Sequence, residues 1–293
     1  MEAFTLQAMA KVNLGLDVIR RLENGYHQVK MIMQTIDLYD ELTFERAETG
    51  ISLHIDREDL PADESNLIWK AARLIMEEYD VQGGVRIGLR KRIPMAAGLA
   101  GGSTDAAAVF HGLNKLFSLG METVQMQRLG VLIGADVPFC LVGGTMLCEG
   151  IGEKLTPVMG GAGVFLVVAK PDISVSTRYV YENLHVETIA HHPDIDSLEA
   201  AVRAGDTERM GCFMENILET VTEKKYPVIT ELKTQLKKLG AVTALMSGSG
   251  PSVFGMFRTR EQAEAACLKM KKQGMAKELF VAGFTDSGCR EVR

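Results

Sequence analysis

At 293 residues the chain exceeds the length at which one hydrophobic core stops growing, so two domains are expected. Apolar residues at 46% and charged residues at 24% are those of an ordinary globular protein, and a formal net charge of −6 argues against a general affinity for nucleic acid or anionic membrane. No apolar run approaches the roughly 18 residues of a membrane span. The acidic start Met-Glu-Ala-Phe lacks the basic region of a secretion signal, and five cysteines without a C-x-x-C pair suit a reducing compartment, so a cytoplasmic protein is expected.

Residues 4–16 read as a strand pair. The turn Glu23-Asn24-Gly25 leads into Tyr26 and His27, and further strand-like stretches cover residues 35–45 and 51–55. Ser65 is placed to cap a helix whose Leu67, Ala71 and Leu74 recur at three-to-four spacing and give it one apolar face. A strand over 85–89 comes next, then a glycine-rich loop, then a helix marked by Ala106, Val109, Phe110, Leu113, Leu116 and Phe117, with Gly120 as its stop. A second helix through Val124 and Leu132 stops at Gly134, and the glycine-rich passage 143–163 reads as the crossing into the second domain. Beyond it come a buried strand over 163–169, helices over 197–203 and 228–239, and a strand over 241–246. Strands and helices mixed without regular alternation favour an α+β fold over a doubly wound sheet.

The loop between strand and helix runs Pro94, Met95, Ala96, Ala97, Gly98, Leu99, Ala100, Gly101, Gly102, Ser103, Thr104, with Asp105 directly after it. Small residues let the backbone approach a ligand closely, and unpaired N–H groups at a helix start carry the positive end of its dipole, so this pattern suits phosphate. Ser103 and Thr104 can cap the helix, and either hydroxyl is a candidate Mg²⁺ contact. Asp105 is a further candidate for holding Mg²⁺, or it simply favours the helix dipole. The pattern is neither a Walker A loop nor a dinucleotide fingerprint, and a plain connecting turn remains the alternative on this segment alone.

Three segments together resemble the three motifs of the GHMP kinases, in the family's order. Ala10-Lys11-Val12-Asn13-Leu14 resembles the first, the glycine loop the second, and Met246-Ser247-Gly248-Ser249-Gly250-Pro251-Ser252-Val253-Phe254 the third. The resemblance implies a two-domain α+β fold, with an N-terminal ATP-binding domain over 1–158 and a ferredoxin-like C-terminal domain over 159–293. It also implies phosphoryl transfer from ATP, with Mg²⁺, to a small-molecule alcohol. Asn24-Gly25-Tyr26-His27, Asp105 and Gly134-Ala135-Asp136-Val137-Pro138 narrow it to the branch acting on the 2-hydroxyl of a cytidine-diphosphate-linked methylerythritol, a step of the non-mevalonate route to isoprenoid precursors. Ala100 and Thr104 stand where the family commonly has glycine and serine.

By that resemblance Asp136 accepts the proton of the substrate alcohol, a poor nucleophile at neutral pH, and Lys11 orients Asp136 and compensates developing charge. The two are far apart in the chain, and their meeting is a matter for the fold. Tyr26 and His27 resemble nucleobase contacts, Tyr181 a second aromatic that sandwiches the base, Asn13 a contact to the polyol and Thr177 one to the pyrimidine side, while Gly248, Ser249 and Gly250 form an active-site glycine loop. His191-His192-Pro193 reads as an exposed loop, and the sixteen methionines as core filling. Homoserine, mevalonate and galactose kinases, and a ligand sensor without catalysis, remain the alternatives.

Overall fold

A computed structural model describes residues 3–160 and 163–292. β1 (Phe4–Arg21) and β2 (His27–Ala47) form a long antiparallel ribbon. β3 (Gly50–Ile55), α1 (Leu67–Glu78) and β4 (Gly84–Arg90) follow, β4 lying antiparallel to β2 and parallel to β3. Next come α2 (Gly101–Phe117), α3 (Thr123–Ile133) and α4 (Val137–Val142), then the hairpin of β5 (Thr145–Glu149) and β6 (Lys154–Pro157), which joins β2. The passage 143–163, read as a crossing, thus contains this hairpin, and Gly143, Gly144, Gly150 and Gly152 supply the turns at either end of β5.

The second half begins with β7 (Phe165–Lys170), followed by α5 (Thr177–Glu182), α6 (Ile195–Arg203), α7 (Thr207–Phe213), α8 (Glu219–Lys225) and α9 (Val228–Lys238). β8 (Thr243–Met246), β9 (Val253–Phe257), α10 (Arg260–Gln273) and β10 (Glu278–Gly283) complete an antiparallel sheet of order β10–β7–β9–β8. With α9 and α10 this is the β-α-β-β-α-β arrangement of a ferredoxin-like unit. A final strand, β11 (Cys289–Glu291), leaves that unit and pairs with β1, giving the first sheet seven strands. Among the described residues no helix is long and apolar enough to cross a membrane.

β1 is one strand, not a pair, and its apparent break has a cause. The β1–β2 register shifts between Met9 and Ala10 and again between Asn13 and Gly15. At the first shift β2 carries two extra residues, Asp37 and Leu38, and at the second β1 carries one, Leu14, so the even residues of β1 do not meet one core throughout. Leu6, Ala8, Leu16 and Val18 join the core under α2, whereas Ala10, Val12 and Leu14 point into a second core shared with Leu166, Val168 and Phe254 of the other sheet. Lys11 and Asn13 alternate with these residues and so face away from the second core.

α2 lies across the first sheet so closely that a Cβ on Gly112 would come within 2.5 Å of the Phe44 ring. Phe44 and Phe110 are completely buried there, each worth roughly 1.5–3 kcal/mol of transfer free energy. Two ends differ from the sequence reading. Asn66, not Ser65, caps α1 by accepting from the Ile68 N–H, because the Ser65 hydroxyl is engaged by Asp63; α2 stops at Ser118, which takes the left-handed conformation two residues before Gly120.

Candidate active site

The glycine loop turns on three left-handed residues, Ala96 (φ 47°), Gly98 (φ 74°) and Ala100 (φ 57°). Its carbonyls face the protein. Ala97 O accepts from Ser252 N (3.3 Å), Gly98 O from Ser247 Oγ (2.9 Å) and Lys11 Nζ (3.2 Å), and Leu99 O from Lys11 N (3.1 Å). In a trans peptide the N–H points opposite its carbonyl, so the N–H groups of Gly98, Leu99 and Ala100 are aimed outward, and none has an acceptor among the described residues. Together with the first N–H groups of α2 they form a concave row of donors suited to an anion. Gly98 must be glycine, since a Cβ there would lie 2.0 Å from Ser247 O.

Lys11 is only 4% exposed, and its ammonium donates to Asn13 Oδ1 (2.7 Å) and stands 3.7 Å from Asp136 Oδ2. Asp136 sits at the N-terminus of α4, after the stop at Gly134, and its side chain, 32% exposed, makes no capping bond of its own. The fold thus brings a buried lysine and an accessible carboxylate together beside Gly98. Asn13 is buried, held between Lys11 and the sulfur of Met31 (3.2 Å). Thr104 is also buried and donates to Met9 O (2.7 Å), whereas Ser103 is half-buried and lies beside Gly134.

Asp105 faces inward. Lys91 Nζ donates to its Oδ2 (2.6 Å) and also pairs with Asp40, whose other oxygen accepts from the N–H groups of Arg92 (2.6 Å) and Ile93 (2.8 Å). Burial, opposed by Lys91, pushes the Asp105 carboxyl well above its ordinary pKa; burial works against the Lys91 ammonium too, but the two carboxylates outweigh it and raise its pKa. This cluster carries no sequence signature, because its members come from β2, the segment after β4, and α2.

The His27 and Tyr181 rings lie 5.0 Å apart at 35°, while Tyr26 is 56% exposed. Burial, then the charge of Arg21, lowers the His27 pKa; burial and the field of Asp136 raise that of Tyr181. Thr177 Oγ1 is 2.8 Å from Ser249 Oγ, joining α5 to the second glycine loop, and Gly248 faces Asn13 and Gly98. That loop is held from behind by a residue the sequence reading passed over: the buried Asn216 donates to Met246 O and Gly248 O, both at 2.8 Å. Elsewhere His191 and His192 each pair with a carboxylate, of Glu215 and Asp17, and no group of three metal-ligating side chains exists among the described residues.

Residues 66–144 match the GHMP kinases N terminal domain and 198–276 the GHMP kinases C terminal domain. A relative from Acetivibrio thermocellus, a 4-diphosphocytidyl-2-C-methyl-D-erythritol kinase, is 50% identical over 90% of this chain and 93% of its own. One of the same name from Lachnoclostridium phytofermentans is 44% identical over 98% and 99%. A crystal structure of 4-(cytidine 5'-diphospho)-2C-methyl-D-erythritol kinase superposes with a TM-score of 0.80 at 33% identity, covering 95% of this chain and 99% of that one. Homoserine kinase from Cytophaga hutchinsonii, 22% identical with a TM-score of 0.82, shares the fold. The chain belongs to the GHMP kinases and, within them, to the 4-diphosphocytidyl-2-C-methyl-D-erythritol kinase family.

Proposed function

We propose that this kinase transfers the γ-phosphoryl group of ATP to the 2-hydroxyl of 4-diphosphocytidyl-2-C-methyl-D-erythritol, in the cytoplasm, on the methylerythritol phosphate route. The observation that carries the mechanism is the pairing of Lys11 with Asp136 beside the outward-facing donors of the glycine loop. Asp136 takes the hydroxyl proton, the freed oxygen forms a bond to the γ-phosphorus, and the bond from that phosphorus to the bridging oxygen breaks to release ADP. Lys11, fixed by Asn13 and Gly98 O, keeps positive charge beside the base and the developing alkoxide.

Within residues 94–104 the free backbone N–H groups of Gly98, Leu99 and Ala100, with those that open α2, cradle the ATP phosphates. A Mg²⁺ ion arriving with ATP fits the Ser103 hydroxyl better than Thr104, which is spent on Met9 O, or Asp105, which faces Lys91; it would neutralise phosphate charge. The tilted pair of His27 and Tyr181, with Tyr26 and Thr177, contacts the cytosine, and Asn13 and the loop 248–250 border the polyol. The division near residue 158 assigns the phosphate loop and catalytic pair to the first domain, and Thr177, Tyr181 and loop 248–250 to the second.

ADP release with Mg-ATP, measured in parallel with 4-diphosphocytidyl-2-C-methyl-D-erythritol, homoserine, mevalonate and galactose, tests this reading. Turnover is expected with the cytidylated alcohol alone, and Asp136→Asn is expected to lose about 10²–10⁴ in kcat while still binding ATP. Turnover of another acceptor would overturn the substrate, and full activity of Asp136→Asn would overturn the base.

A further inference from the structure

The second glycine loop owes its conformation to a bracket supplied by the segment that leads into α8. The amide nitrogen of Asn216 spans Met246 O and Gly248 O, Glu219 Oε1 accepts from Met246 N (2.7 Å), and the Thr222 hydroxyl reaches Ser249 O (3.4 Å). Asn216 is itself locked, its Oδ1 accepting from Leu218 N (3.0 Å) and its backbone bridged to Leu16 of β1 between Leu16 N–Glu215 O and Ile217 N–Leu16 O bonds. The carbonyls of Met246, Gly248 and Ser249 are thereby held by this segment, while Ser247 O faces Gly98 and accepts from Gly250 N (2.9 Å).

The consequence follows from peptide planarity. With Gly248 O held by Asn216, the N–H of Ser249 points the opposite way, toward the side where Gly248 faces Asn13 and Gly98. This N–H has no acceptor among the described residues, although Ser249 is buried. Buried N–H groups without a partner are rare in folded proteins, so a donor held in this state by a dedicated side chain marks a place where a ligand supplies the acceptor. Both Gly248 and Gly250 have positive φ, so the loop has the freedom to flip this peptide if the clamp is lost.

The geometry points to Asn216 as a positioning residue for phosphoryl transfer: it fixes the Gly248–Ser249 peptide so that the Ser249 N–H is presented to an oxygen of the reacting alcohol or phosphoryl group. Asn216 touches neither reactant; it acts through the loop. The assignment rests on the kinase reading above, in which this loop borders the acceptor.

Asn216→Ala removes the donor to both carbonyls, and Asn216→Asp keeps the bond to Leu218 N while setting an oxygen against the same two carbonyls. Both are compared with the wild type in full kinetics for Mg-ATP and 4-diphosphocytidyl-2-C-methyl-D-erythritol, normalised to the folded fraction from circular dichroism. The expected result is a loss of about 10²-fold in kcat for each variant, with KM for ATP within about threefold, as for loss of one preorganised donor. A kcat within about twofold of wild type in either folded variant, or a loss confined to KM for ATP, would overturn the proposal. So would failure of both variants to fold, which would make Asn216 a residue of the fold alone. Absence of turnover in the wild type is a separate result and would count against the substrate reading; if another acceptor is turned over, the same comparison is made with it.

Discussion

Lys91→Met and Asp105→Asn remove opposite ends of one ion pair, yet they are expected to move stability in opposite directions. Lys91 is the single cation between two carboxylates, and all three side chains are 4% exposed or less. Without it, two buried carboxylates are left facing each other, and the Asp105 Oδ1 atom, already unpartnered, gains nothing. Removing one member of such a pair costs about 3–5 kcal/mol. Asp105→Asn leaves Lys91 matched one-to-one with Asp40 and supplies an N–H₂ donor where a lone pair was stranded. Because burial holds the Asp105 pKa above its unfolded value, the substitution is expected to stabilise the protein at pH 7. The sign with pH follows: a raised pKa contributes stability below the unfolded value of about 3.9 and loses it as pH rises through the folded value. The advantage of Asp105→Asn should therefore grow from about pH 4 upward. Urea unfolding of wild type and both variants at several pH values reads this directly. An Asp105→Asn variant less stable than wild type at pH 7, or a difference flat in pH, would refute the picture of a surplus buried acid.

Ala100 occupies the left-handed region that costs a side chain roughly 1–2 kcal/mol, so Ala100→Gly, after the entropy it returns to the unfolded chain, is expected to stabilise by up to about 1 kcal/mol in thermal melts. Gly112→Ala should destabilise by about 1–3 kcal/mol through overlap with the Phe44 ring, and Phe44→Leu in the same chain should recover part of that loss. Tyr181→Ala is expected to raise KM for the cytidylated substrate about tenfold or more while sparing KM for ATP. His27 is held neutral at pH 7 by its lowered pKa, so KM for that substrate should rise as pH falls through the His27 value, and His27→Gln should abolish the rise.

The glycine loop and the order of motifs were legible because each compresses its chemistry into a few adjacent residues. The strand 85–89 and the helices after residues 66, 101 and 123 were legible from periodicity, although the cap at Asn66 was misread by one position because Asp63, Ser65 and Asn66 all offer capping groups and only tertiary packing selects among them. β1 was split in two because its pairing with β2 is interrupted and its even residues change from one core to the other at Ala10 and back at Leu16, which only the packed sheets reveal. β5 and β6 were hidden by the glycines around them. Asn216, Lys91 and Asp40 were illegible for a different reason, since each acts on partners brought together from distant segments; Asp105 was singled out after the loop, but as a metal or dipole residue and not as the partner of Lys91.

β11 lies at residues 289–291 and completes a sheet whose first strand begins at Phe4. Leu6 and Ala8 pair with Glu291 and Cys289, Met9 N donates to Gly288 O, and a Cβ on Gly288 would strike Cys140 O at 2.1 Å. During synthesis β1 emerges early and waits for this partner until the entire ferredoxin-like unit has followed it out of the ribosome. For that interval the outer edge of β1 offers unpaired N–H and carbonyl groups to any passing strand. Residues 286–291 therefore act as a late clasp: the stretch Leu6 to Ala8 of β1 is covered only once the other half of the protein exists.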